Sequence, residues 1–148
     1  MIITISGMPG AGKTTLAKYL AKTYKLKHVY VGGLMREMAK KKGLSLIELS
    51  KLAEKSDEVD KELDKMQLEM KKKYKDNIVF DSRIGFYFFP ESIKILLVAD
   101  PKVAAKRIVK TKRKEEQANS ISEAIKQIKR RMKSERKRYK KLYGIDID

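Results

Sequence analysis

The chain has no cysteine, so it can hold neither a disulfide framework nor a Cys-ligated zinc. A single histidine, His28, excludes metal sites built from several imidazoles. No uninterrupted apolar run approaches the roughly 18 residues that a membrane span requires. The start, Met1-Ile2-Ile3-Thr4-Ile5-Ser6, lacks the basic region and small-residue cleavage site of a secretory leader, so a cytoplasmic protein off the membrane is the expectation. What is present is a 148-residue chain, 42% apolar and 37% charged, enough for a single globular domain over 1–148 with its own core.

Acidic residues are scarce, 19 against 36 Lys and Arg, for a net charge of +17. The excess is uneven: 17 basic residues face only four glutamates between Pro101 and Tyr143. Such a segment suits a polyphosphate-binding wall or a nucleic-acid face. Of the 36 basic residues only eight are arginines, and these carry more information, because a guanidinium makes fixed bidentate contacts with phosphate.

Apolar periodicity orders the elements. Ile2 to Ser6 reads as a short buried strand, followed by a glycine-rich turn and a helix from Lys13 to Tyr24. A second strand is expected over His28–Val31, closed by a Gly32-Gly33 turn, with a helix from Leu34 to Lys42. Ser45 and Glu48 form a capping box that opens another helix, and Asp57 is placed to cap the next. Buried strands are expected at 77–81 and 93–99. Asp100-Pro101 starts a helix, 112–120 reads as a basic loop, and a long last helix carries Ile121, Ile125, Ile128, Met132, Tyr139 and Leu142 as its apolar stripe. Strands alternating with helices predict an α/β fold, a parallel β-sheet flanked by helices.

Gly7-Met8-Pro9-Gly10-Ala11-Gly12-Lys13-Thr14 fits G-x-x-x-x-G-K-[ST], with a strand before it and a helix after. Glycines let backbone N–H groups close around phosphate oxygens, and the helix N-terminus adds positive charge. In this P-loop pattern Gly7, Gly10, Ala11, Gly12, Lys13, Thr14 and Thr15 would cradle ATP. Lys13 would reach the β- and γ-phosphates and the Thr14 hydroxyl would ligate Mg²⁺.

A second phosphate site would appear as isolated arginines at element ends. Arg36 lies early in its helix and Arg83 two residues beyond Asp81, at the strand ends where ligands gather in α/β sheets. Asp81 is the acidic residue placed near Mg²⁺ or the acceptor, reaching the ion through water. Arg131, Glu135 and Arg138 share one helix face, either as a salt-bridge ladder or with the carboxylate turned toward a site. Arg107 and Arg113 flank the basic loop, where positive charge could approach a transferring phosphoryl group. His28 reads as structural, and the Phe86-Tyr87-Phe88-Phe89 run as core packing rather than a base-stacking platform.

These stretches together resemble the nucleoside monophosphate kinases, and more closely the short archaeal-type cytidylate (CMP/dCMP) kinases. The resemblance rests on Ile3–Thr15, on Gly33-Leu34-Met35-Arg36-Glu37-Met38-Ala39, and on Asp57-Glu58-Val59-Asp60 with Leu63 and Gln67. Asp81-Ser82-Arg83, Pro90–Ile95, Ser134–Tyr139 and Tyr143–Asp148 extend it to the end of the chain. It implies ATP-dependent phosphorylation of CMP and dCMP in pyrimidine nucleotide metabolism, by a monomer. Arg36 and Arg83 would hold the acceptor phosphate with Asp81 beside it. Ser50 and Asp60, in a helical acceptor-binding insertion over 43–75, would recognise cytosine or ribose, although longer bacterial relatives carry an arginine where Asp60 stands. Arg131 would bridge the phosphates of the two nucleotides, Glu135 and Arg138 would bond the cytidine side, and 112–120 would be the lid. Relatives of this kind continue past the Tyr-Gly-Ile-Asp stretch with a fifth strand and a closing helix; either the sequence is shortened here or the protein lacks that edge. The competing readings are an adenylate-kinase-like ATPase and an RNA- or ribosome-associated P-loop ATPase; nucleic acid is not the expected partner, though the charge allows one.

Overall fold

The computed structural model describes residues 1–111 and 119–147. They form two compact units, one from Met1–Gly7 and Gly12–Leu97, the other from Met8–Ala11 and Val98–Asp148.

The first unit is built on a four-stranded parallel sheet in the order β2-β3-β1-β4, with β1 Ile2–Gly7, β2 Lys27–Tyr30, β3 Ile78–Asp81 and β4 Ile93–Leu97. Strands β1 and β3 are buried along their whole length, as near-continuous apolar runs require. Strand alternation sorts their side chains. Ile3, Ile5 and Val79 pack against Ala17 and Leu16 of α1 (Lys13–Tyr24). Ile2, Val29, Ile78 and Phe80 pack with α2 (Val31–Lys42), α3 (Leu46–Lys55) and α4 (Glu58–Lys73), through Leu34, Met38, Leu49, Val59 and Leu63. The sheet thus carries helices on both faces, the α/β arrangement expected.

Four local expectations change. Helix α2 begins directly at Val31 with Tyr30 as its N-cap, so Gly32-Gly33 form its first turn rather than a closing turn. Asp57 stands at the N-cap of α4 but makes no side-chain cap bond; the Ser56 hydroxyl accepts from the Glu58 N–H instead, at 3.3 Å. Strand β4 ends at Leu97 and is not buried. It lies at the sheet edge, with Ile93 and Leu96 more than half exposed. The aromatic run includes a short helix, α5 (Gly85–Phe88), and splits: Phe89 is fully buried while Tyr87 is exposed.

Phe89 stacks on Phe80 of β3 with centroids 4.2 Å apart. Lys71 of α4 lies 4.9 Å from the Phe89 centroid and also donates to the Glu91 carboxylate, which holds that carboxyl below its ordinary pKa. Phe89→Ala removes the ring joining β3 to α4 and is expected to destabilise the protein by about 3–5 kcal/mol. Urea unfolding checks this, and a loss under about 1 kcal/mol would place the ring outside the core.

The second unit contains Met8–Ala11, α6 (Pro101–Thr111) and α7 (Ile121–Tyr143). Asp100 Oδ1 accepts from the Lys102 N–H at 2.7 Å, and Ser120 Oγ from the Glu123 N–H at 3.1 Å, so each helix starts on a side-chain cap. Ala104, Ala105 and Ile108 pack against Ala124 and Ile128, with Met8, Ile125 and Met132 around them. Ile121 is exposed: the α6 contact begins about one turn further in, at Ala124, so the apolar stripe starts later than its periodicity implied.

Candidate active site

Two glycines let the loop after β1 follow its path. A Cβ on Gly7 would stand 2.5 Å from the Leu97 carbonyl oxygen, and one on Gly10, at φ 79°, would stand 2.7 Å from that of Ala104. Both contacts are with backbone, which cannot yield, so no side chain fits at either position. Gly12 caps α1 without any side-chain bond, and the first turn holds no acidic residue. No acidic residue of the helix itself therefore offsets the positive end of its dipole, and Lys13 and Thr14 open the helix at that point.

Thr14 Oγ1 donates to Asp81 Oδ2 at 2.6 Å. The Asp81 side chain is fully buried, and its Oδ1 has no hydrogen-bond partner. One neighbour shares this condition. His28 Nε2 lies 3.7 Å from Asp81 Oδ2, too far for a hydrogen bond, and is buried and without a partner. Buried polar atoms are normally satisfied, so two such atoms side by side, Asp81 Oδ1 and His28 Nε2, mark a place shaped for a bound group. Sequence reasoning set His28 aside as structural. Its proximity to Asp81 follows from the β2–β3 pairing, which no local pattern encodes.

The other predicted residues are distributed as follows. Arg36 lies in the second turn of α2, half-buried, with its guanidinium carbon 5.4 Å from the Tyr30 ring centroid. Arg83 is half-buried just past β3. Asp60 is buried on α4, whereas Ser50 is exposed on α3. Gln67, also buried on α4, makes one long bond, 3.5 Å, to the Leu63 carbonyl, and its Oε1 has no partner. In the second unit, Arg107 Nη1 donates to the Gly10 carbonyl at 3.2 Å. Glu135 is buried and accepts from Arg131 Nε at 3.1 Å, so the Arg131–Glu135 ion pair is formed on a carboxylate withdrawn from solvent. Arg138 lies over the Tyr139 ring at 5.8 Å. Arg113 and positions 112–118 of the proposed lid fall outside the described residues.

The model of the cytidylate kinase-like family matches residues 2–148. The chain belongs to that family. It is 43% identical over 149 residues to a protein named cytidylate kinase from Pyrococcus horikoshii, covering all of this chain and 74% of that one. It is 40% identical over 153 residues to the cytidylate kinase of Methanocaldococcus jannaschii, covering all of this chain and 82% of that one. Among solved structures, shikimate kinase from Bacteroides thetaiotaomicron superposes with a TM-score of 0.64 at 20% identity, over 97% of this chain and 84% of that one. Shikimate kinase from Acinetobacter baumannii gives 0.58 at 16%, over 99% of this chain and 82% of that one. These likenesses show the fold alone. As a cytidylate kinase-like protein the chain is a nucleotide-binding transferase, and the α/β reading of its sequence stands. Among the described residues no helix is long and apolar enough to cross a membrane.

Proposed function

We propose that the chain transfers the γ-phosphoryl group of ATP in line to the phosphate of CMP, and of dCMP, as a monomeric cytoplasmic enzyme of pyrimidine nucleotide metabolism. An acceptor phosphate oxygen forms a bond to the γ-phosphorus while the bond to the β–γ bridging oxygen breaks, leaving ADP and CDP. The observation that carries this reading is the Thr14–Asp81 pair with its spare buried carboxylate oxygen, set at the end of a complete phosphate-binding loop. The relatives named above support the choice of acceptor and weigh against the adenylate-kinase-like and RNA-linked alternatives.

The residues present fit Mg²⁺. A hydroxyl and a buried carboxylate are hard oxygen donors, and Mg²⁺ keeps several waters and substrate phosphates among its ligands. Thr14 would hold it directly and Asp81 through water, and when bound it would neutralise charge on the phosphates.

The chain's own groups do the remaining work. Backbone N–H groups of Gly7–Thr15 orient the triphosphate, and Lys13 follows charge onto the equatorial oxygens of the transferred group. Arg36 and Arg83 are assigned the acceptor phosphate, Ser50 and Asp60 the cytidine. Arg107 and Arg131 are assigned the developing charge, Glu135 and Arg138 the cytidine side, and Arg113 the ATP. No covalent intermediate or strong base is needed; positioning and charge stabilisation suffice.

A coupled ADP-release assay with ATP, Mg²⁺ and each of CMP, dCMP, UMP, AMP and GMP tests the proposal. Turnover led by CMP is expected. Turnover led by AMP would favour the adenylate-kinase-like alternative, and none stimulated by any acceptor would overturn the kinase assignment. Arg36→Ala is expected to raise the KM for CMP by at least about tenfold, the cost of a charge-assisted bond, with little change for ATP. Equal effects on both would remove Arg36 from the acceptor side.

A further inference from the structure

Strand β2 runs into helix α2 without an intervening loop, because Tyr30 is at once the last strand residue and the N-cap. Strand alternation puts His28 and Tyr30 on one face, with ring centroids 6.4 Å apart and planes 24° from parallel. The Tyr30 ring then lies across the first turn of α2. A Cβ on Gly32 would meet its Cζ at 2.5 Å and its hydroxyl oxygen at 2.6 Å, and one on Gly33 would touch its Cδ1 at 3.5 Å. Residues 32 and 33 precede Arg36 by four and three positions, so all three share a helix side. On that side the ring takes the space two side chains would fill, and the Arg36 guanidinium carbon stands 5.4 Å from its centroid.

We propose that Tyr30 is the positioning residue for Arg36 at the acceptor phosphate, and that Gly32 lacks a side chain to admit the Tyr30 ring. The proposal rests on the reading of Arg36 as an acceptor-phosphate ligand. An arginine loses rotamer freedom when it grips a phosphate. A ring already lying against the guanidinium restricts that freedom beforehand and leaves the edge of the fork to make its bonds. The seat for the ring is built into the sequence, two consecutive glycines in the first turn of a helix, where glycine is otherwise unfavourable.

Two substitutions separate this role from a purely structural one. Tyr30→Leu removes the aromatic face and is expected to raise the KM for CMP about three- to tenfold, with the KM for ATP unchanged; Tyr30→Phe keeps the face and stays near wild type. Gly32→Ala presses on the outer end of a rotatable ring, so the ring moves and the helix stays. Alanine also favours the helix, so this variant is expected to melt no lower than wild type while its KM for CMP rises as in Tyr30→Leu. In the Tyr30→Leu background, Gly32→Ala should then add nothing to the KM for CMP. Additive effects, an unchanged KM for CMP in Gly32→Ala, or a Tyr30→Leu effect equal for CMP and ATP would each overturn the proposal. Arg36→Ala measured alongside separates the two levels. If it raises the KM for CMP while Tyr30→Leu does not, only the positioning role fails; if it leaves the KM for CMP alone, the acceptor-site reading fails and the positioning role with it.

Discussion

Lys13→Ala is expected to lower kcat with CMP by about 10²- to 10³-fold while the protein stays folded. The lysine opens α1, where alanine is a better helix former, so the substitution leaves the helix intact. Its ammonium is the side-chain charge that the phosphate-loop pattern assigns to the β- and γ-phosphates, and negative charge builds on the β–γ bridging oxygen as its bond to the γ-phosphorus breaks in the transition state. Losing it therefore lowers kcat more than it weakens ATP binding. Circular dichroism checks the fold and a steady-state assay the rate. A variant that keeps more than a tenth of the wild-type rate would contradict the assignment of the loop to phosphoryl transfer.

Asp81→Asn is expected to lower kcat by about 10- to 100-fold and to raise the Mg²⁺ concentration needed for half-maximal rate. The substitution is nearly isosteric, and its amide oxygen can still accept from Thr14 Oγ1, so the local fold has reason to persist. What it loses is the negative charge and one of two acceptor oxygens, the one that has no partner in the structure. A Mg²⁺ titration of activity tells the two assignments of this carboxylate apart. A fall in rate with an unchanged Mg²⁺ requirement would move Asp81 from the ion to the acceptor.

Short-range features of the site were legible because their physics is short-range. A glycine pattern between a β-branched strand and a helix declares a phosphate loop, since the backbone approach it needs excludes side chains. Asp100 and Ser45 could be read as caps because an N-cap bonds N–H groups only two or three residues ahead. The buried position of Glu135 showed as a break in an apolar stripe. Asp57 shows where that reading ends: it has the composition of a cap, yet Ser56 makes the bond, because two adjacent cap formers compete and backbone dihedrals choose between them.

The sequence by itself determined that this chain is a phosphate-binding α/β protein of a recognisable kinase family, with Lys13 and Thr14 at the head of α1. Glycine spacing and hydrophobic period act over a few residues and survive without tertiary context. Tertiary structure alone decided that Asp81 bonds Thr14 across 67 residues, that His28 stands beside that carboxylate, and that Tyr30 folds back over Gly32 onto Arg36. Those meetings depend on strand order and register, with Ile5 opposite Asp81 and Tyr30 opposite the same residue from the other side. Register is set by how whole strands bury their apolar faces against α1 and α2–α4, a property of the assembled core that no local segment carries.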